Sequence, residues 1–197
     1  GGLLACLEVA SGEAVWRREA RGEISASVAV DERVVVAGCW DGHIAALDAM
    51  TGDEVWRYKT QAPVSSSPCI GDGVAYCGSD DHGLYALDLE SGGLVWRSDL
   101  GGQVRSSPAL TADLVVVGSI DHRCYAVSRE TGEVAWATPT EEEIMSSPSI
   151  SSSVVYVGSR DGALYALDLA TGEVLWKHTS AYGVYSSPAV AEQTVYV

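Results

Sequence analysis

The 197-residue chain contains no phenylalanine and only two methionines, so six tryptophans and nine tyrosines supply its aromatic bulk. It lacks a long apolar run. The longest, around Val34–Ala37 and Leu114–Val117, are strand-sized, which excludes a bilayer-spanning helix. Basic residues are scarce, 12 against 27 acidic, for a net charge of −15. That balance lacks the positive footprint needed to bind nucleic acid or an anionic membrane surface. A soluble acidic surface accounts for it, with Glu141, Glu142 and Glu143 read as a solvated loop. The five cysteines form neither an adjacent pair nor a CxxC spacing, so no disulfide framework is indicated. No P-loop, HExxH, nucleophile elbow or dinucleotide fingerprint occurs. No stretch of useful length carries a helical 3.6-residue period.

What the chain does have is a repeat. Trp16, Trp56, Trp96, Trp136 and Trp176 stand 40 residues apart, each closing one phrase: SGEAVW, TGDEVW, SGGLVW, TGEVAW, TGEVLW. Gly38, Gly78, Gly118 and Gly158 keep the same step, as do Pro68, Pro108, Pro148 and Pro188, and Asp41, Asp81, Asp121 and Asp161. A period of this length means an array of one supersecondary unit. The cysteines obey the same columns. Cys6 stands where other repeats have Ala46 or Ala86, Cys69 where they have Ala109, Cys77 where they have Val117, and Cys124 where they have Leu164. Cysteine here behaves as a small hydrophobe in a strand, and unpaired cysteines favour a cytoplasmic, reducing compartment.

Residues 144–178 show one unit. The run 145–150 contains Pro148, 153–159 is β-branched and aromatic, 160–162 is turn chemistry, 163–169 alternates, and 173–179 is again strand-like. Four short strands joined by tight turns predict an antiparallel meander. Units of this size are blades of a β-propeller. One blade cannot bury both faces, whereas radial stacking covers each sheet with its neighbour. The fold class is therefore all-β, a propeller of four-stranded antiparallel blades with about five 40-residue repeats.

The repeat phase places half a blade at 1–18, blades at 23–59, 63–99, 103–139 and 143–179, and half a blade at 183–197, in a single domain. Two arrangements follow. The halves could pair and close a five-bladed ring, or the chain could be part of a propeller of seven or eight blades. Residue 1 already lies inside a repeat, so the expectation is that the native N-terminus lies further upstream.

Each tryptophan is expected to pack between adjacent blades, its indole N–H donating to a neighbouring carbonyl. Each proline is placed in the innermost strand, whose free edge tolerates the missing N–H. Arg17, Arg57, Arg97 and Lys177, after the tryptophans, are expected to keep the outer edge soluble.

Two sets of residues compete as a site. The position before Ser-Ser-Pro reads Ser25, Ser65, Arg105, Met145 and Tyr185, changing type in every repeat while its surroundings hold constant. A channel-lining position freed from the structural pattern is where a ligand would be read, with Arg105 as an anion contact. A tolerant loop end is the alternative. The second set is Asp81 with His82 and Asp121 with His122, which suit Zn²⁺ or Fe²⁺. They fit better as turn-capping aspartates on separate blades, so no metal is assigned.

The phrase SSPSISSSVVYVGSRDGALYALDLATGEVLW at 146–176 resembles the repeat of pyrroloquinoline-quinone-like propellers, and TGExxW is similar to their tryptophan-docking motif. That family includes quinoprotein dehydrogenases, an outer-membrane assembly scaffold, and arrays fused to kinases or to enzymes resembling beta-alanine-activating proteins. The quinoproteins commonly set adjacent cysteines against the cofactor, and this chain has none, so no cofactor is expected. The resemblance implies a fold that hosts many activities. The reading is a non-catalytic binding or scaffolding module with a protein or peptide partner. The alternatives are a quinoprotein oxidoreductase domain, or a sensor domain fused to a kinase or acyl-activating enzyme.

Overall fold

The computed structural model describes residues 2–197. Twenty strands and no helix occur among them, so no helix is long and apolar enough to cross a membrane. The first sheet pairs β1 (Leu3–Leu7) with β2 (Ala14–Glu19). Then comes a four-stranded meander of β3 (Ala29–Val30), β4 (Val34–Cys39), β5 (His43–Asp48) and β6 (Glu54–Lys59). The next holds β7 (Cys69–Gly71), β8 (Val74–Gly78), β9 (Gly83–Asp88) and β10 (Leu94–Asp99). The third holds β11 (Ala109–Leu110), β12 (Leu114–Ser119), β13 (Arg123–Ser128) and β14 (Val134–Pro139). The fourth holds β15 (Ser149–Ser151), β16 (Val154–Gly158), β17 (Ala163–Asp168) and β18 (Val174–Thr179). A last pair joins β19 (Ala189–Ala191) and β20 (Thr194–Tyr196).

The hydrophobic core lies between the sheets. One cluster joins Val36, Ile44 and Trp56 of one blade to Ala75, Tyr85 and Leu87 of the next, and two further clusters repeat the pattern. Glycine makes the close approach possible. A Cβ on Gly38 would sit 2.5 Å from Val64 Cγ1, and one on Gly78 would sit 2.5 Å from Val104 Cγ1. The Gly-Ser phrase is thus kept because the next blade's inner segment packs onto it.

The tryptophans tie the same interfaces from the outside. Trp16 Nε1 donates to Ala49 O (2.9 Å), Trp56 to Leu89 O (2.8 Å), Trp96 to Arg129 O (2.8 Å) and Trp136 to Leu169 O (2.9 Å). The Thr/Ser-Gly glycine of the following blade lies against each ring. At Gly92 the backbone takes φ +70°, and a Cβ would come within 2.6 Å of the Trp56 ring. Glycine is required there twice, for the left-handed turn and for the contact. A β-bulge directly before each tryptophan, at Val55 between the pairs Ala46–Trp56 and Leu47–Glu54, sets the ring's direction.

One expectation needs correction. Pro148 and its equivalents lie outside the innermost strand, which starts one residue later. The Ser-Ser segment before proline makes its bonds sideways instead. Ser27 N–H donates to Ser67 Oγ (3.0 Å), Ser67 to Ser107 (3.2 Å), Ser107 to Ser147 (2.9 Å) and Ser147 to Ser187 (3.1 Å). Of the two arrangements left open by the sequence, the closed five-bladed ring is not formed here: β1–β2 and β19–β20 each remain two-stranded. Trp176 consequently departs from its equivalents. It is 42% exposed where the other four are 7–8% exposed, and it rests on Tyr156 with ring centroids 5.9 Å apart.

Candidate binding face

Each blade presents two loop segments at one end: the turn between its second and third strands, and the connection arriving from the previous blade. Backbone bonds stitch them together, Trp40 N–H to Glu23 O (2.9 Å), Asp80 to Pro63 O (2.9 Å), Ile120 to Gln103 O (3.0 Å) and Arg160 to Glu143 O (2.9 Å). On this frame three of the five variable residues, Ser25, Arg105 and Tyr185, meet a second variable set.

Ser25 Oγ accepts from Trp40 Nε1 at 2.7 Å. Arg105 is engaged bidentately by Asp80, with Nε to Oδ1 at 3.0 Å and Nη2 to Oδ2 at 2.9 Å. That bond raises the guanidinium pKa above its ordinary value. The group expected to meet an anion therefore already has one. Tyr185 is 57% exposed; its hydroxyl accepts from Arg160 Nε at 3.2 Å, and the guanidinium carbon stands 6.0 Å from its ring centre. Arg160 also pairs with Glu143. Met145 is exposed, and Ser65 is half-buried.

The residues missed from sequence are Trp40, Asp80, Ile120 and Arg160. The signal was present: the residue before the repeated aspartate changes type in every blade, as the one before Ser-Ser-Pro does. Partners sit 25 residues apart across a blade boundary, so Asp80 matches Arg105 and Arg160 matches Tyr185. Charges alternate along the strip through Asp80, Arg105, Glu143 and Arg160. Trp40, at 49% exposure, together with Met145 and Tyr185, adds apolar surface.

The aspartates of the turns behave as caps. Asp81 Oδ1 accepts from Gly83 N–H (2.9 Å), while Oδ2 accepts from the Tyr85 hydroxyl (2.7 Å) and Gln61 N–H (2.8 Å). Burial pushes the Asp81 carboxyl upward, but these bonds and the Arg97 charge carry it below the ordinary carboxylate value. Asp161 balances burial against Tyr165, Ala163 and Glu141 with the same net lowering. Asp121 accepts from Tyr125. Burial and then the bonded aspartate push the hydroxyls of Tyr85 and Tyr125 up to about 12. His82 and His122 occupy the turn tips with φ of +69° and +68°, where Gly42 and Gly162 stand in other blades. Among the described residues no three of His, Cys, Asp and Glu gather as a metal site.

Radial packing of four-stranded meanders, each tied to the next by tryptophan and serine, defines a β-propeller of the pyrroloquinoline-quinone-like type. The family model described as "Beta-alanine-activating enzyme, beta-propeller" matches residues 1–197, and the chain belongs to that family. Among solved structures it is similar to BamB from Moraxella catarrhalis, at 23% identity and TM-score 0.84, covering 98% of this chain and 63% of that one. It is also similar to the computationally designed Ika8 protein, at 20% identity and TM-score 0.85, covering 94% of this chain and 58% of that one. These likenesses concern the fold, and the chain spans less than two thirds of either structure's length. No curated protein matches its sequence.

Proposed function

We propose that this propeller is a non-catalytic binding module that docks a protein or peptide on the loop face carrying Trp40, Asp80, Arg105, Met145, Arg160 and Tyr185. The observation that carries this reading is the contrast on that face. Side chains change from blade to blade while the serine ladder and backbone bonds beneath them repeat. Exposed aromatics beside alternating charge are what a specific protein contact uses. Bonded pairs such as Asp80–Arg105 hold the surface in one shape, which lowers the ordering cost of association.

The family's description favours an acyl-activating enzyme as host, with the propeller as its docking or sensing domain. A quinone is not part of this proposal. None of the five cysteines adjoins another, and adjacent cysteines are what the resemblance to quinoproteins would call for.

The test is cross-linking mass spectrometry on the host protein, with a photoreactive residue at Met145 or, as control, at Val95 on the outer strand. Specific cross-links from Met145, lost in a Trp40→Ala/Tyr185→Ala variant, are expected. Equal labelling from both positions would remove the reading, and saturable quinone binding in an absorbance titration would replace it with an enzymatic one.

A further inference from the structure

The blade of β3–β6 lacks a part that its successors have. Tyr85, Tyr125 and Tyr165 occupy one column of the repeat, and the equivalent residue in this blade is Ala45. A cavity of about 140 Å³ opens beside it, lined by Arg18, Ala37, Cys39, Ala45, Leu47 and Arg57 among others. Forty residues further on, these positions are Tyr58, Cys77, Ser79, Tyr85, Leu87 and Arg97.

Several of those counterparts enclose the Tyr85 ring. Tyr58 lies 5.7 Å from it between ring centres, and the Arg97 guanidinium carbon stands 5.4 Å over it. Cys77 and Leu87 share its core cluster. The cavity therefore occupies the place that a tyrosine ring fills in the next blade.

The polar end is also left without its tyrosine. The Tyr85 hydroxyl donates to Asp81 at 2.7 Å and accepts from Arg97 Nε at 3.0 Å. In the incomplete blade Arg57 turns to Glu54, with Nη2 2.7 Å from Oε2, while its Nη1 stays 3.4 Å from Asp41 Oδ2. Asp41 Oδ1 is buried with no hydrogen-bond partner, as is Asp121 Oδ1 in a blade that keeps its tyrosine, and it is the other carboxylate oxygen, Oδ2, that Tyr85 and Tyr165 bond in their blades. His43 Nδ1 lies 3.1 Å from Asp41 Oδ1, out of alignment and likewise unpartnered.

We propose that this cavity is a binding site for a small single-ring phenol, whose ring takes the place of the absent tyrosine and whose hydroxyl donates to Asp41. The size agrees with that of an apolar cavity of about 150 Å³ that holds benzene in another protein, while here Glu19, Asp53 and Glu54 join Ala37, Ala45 and Leu47 in the lining. Arg57 offers the ring a cation, as Arg97 does for Tyr85. This site is independent of the loop face proposed for docking.

The experiment titrates the full chain with p-cresol and with toluene, read by ligand-observed NMR and thermal shift. Saturable p-cresol binding, at least about tenfold tighter than toluene, is expected from one hydrogen bond to a charged acceptor. Asp41→Asn should remove most of that difference and leave toluene unchanged. Ala45→Tyr, which restores the repeat's own residue, should raise the melting temperature and abolish binding of both. No saturable binding to the parent chain, equal affinity for the two probes, or undiminished binding in Ala45→Tyr would each overturn the proposal.

Discussion

Trp56→Ala and Trp176→Ala remove the same residue from the same place in the repeat, yet their costs should differ several-fold. Trp56 is 8% exposed, donates to Leu89 O at 2.8 Å and lies against Gly92. Truncating a buried tryptophan costs about 3–5 kcal/mol. The orphaned Leu89 carbonyl, worth about 1–3 kcal/mol if left dry, places the expected loss near the upper end. Trp176 is 42% exposed and rests on Tyr156 alone among the aromatic contacts, so its removal should cost below about 1 kcal/mol. Guanidinium denaturation followed by circular dichroism measures both. Hydrogen exchange at Leu87 and Leu89 localises the loss, because in a repeat array each unit touches only its neighbours. The reasoning fails if Trp56→Ala costs less than 1 kcal/mol, or if Trp176→Ala costs as much as Trp56→Ala.

Gly92→Ala should destabilise by at least about 1–2 kcal/mol, from left-handed backbone strain plus the clash with Trp56, and a thermal melt reads it. His82→Gly should raise stability by a few tenths of a kcal/mol, since relief of the strained φ slightly outweighs glycine's entropy; a lower melting temperature would contradict this. Asp81 and Asp161 titrate below their unfolded values, so their contribution is complete above about pH 4 and is lost as pH falls through the folded pKa. Acid denaturation should therefore begin below about pH 4 and shift toward neutrality in Tyr85→Phe, which removes one of the bonds holding Asp81 low.

The repeat made the blade legible because each environment is sampled several times. A column of tryptophans or glycines reports a contact that every blade makes, and the Trp56–Leu89 and Gly92–Trp56 contacts bear that out. Contacts running between columns were harder to read. Asp80 and Arg105 sit 25 residues apart in a 40-residue period, so neither column alone shows the pair. Ser-Ser-Pro looked like strand because its composition permits it, but its N–H groups serve the neighbouring blade. Ring closure was illegible for a different reason. The half blades are complementary as sequence, while curvature is set by packing such as Gly38 on Val64, which carries no label for the number of blades. The cavity beside Ala45 was visible as an exception in a column, and its meaning required knowing what Tyr85 touches.

The tryptophan bonds that tie one blade to the next all point one way along the chain. Every donor waits for a carbonyl 33 residues further toward the C-terminus, and no bond of this kind looks back. During synthesis a blade thus leaves the ribosome before the atoms that finish it exist. At ~5–20 residues per second the wait is roughly 2–7 s. For that interval the newest blade offers an uncovered indole at its growing edge, and the arrival of the next blade both covers it and exposes another. Assembly is therefore vectorial: a single unfinished interface travels down the nascent chain, and a translational pause anywhere in the array leaves only that one interface open.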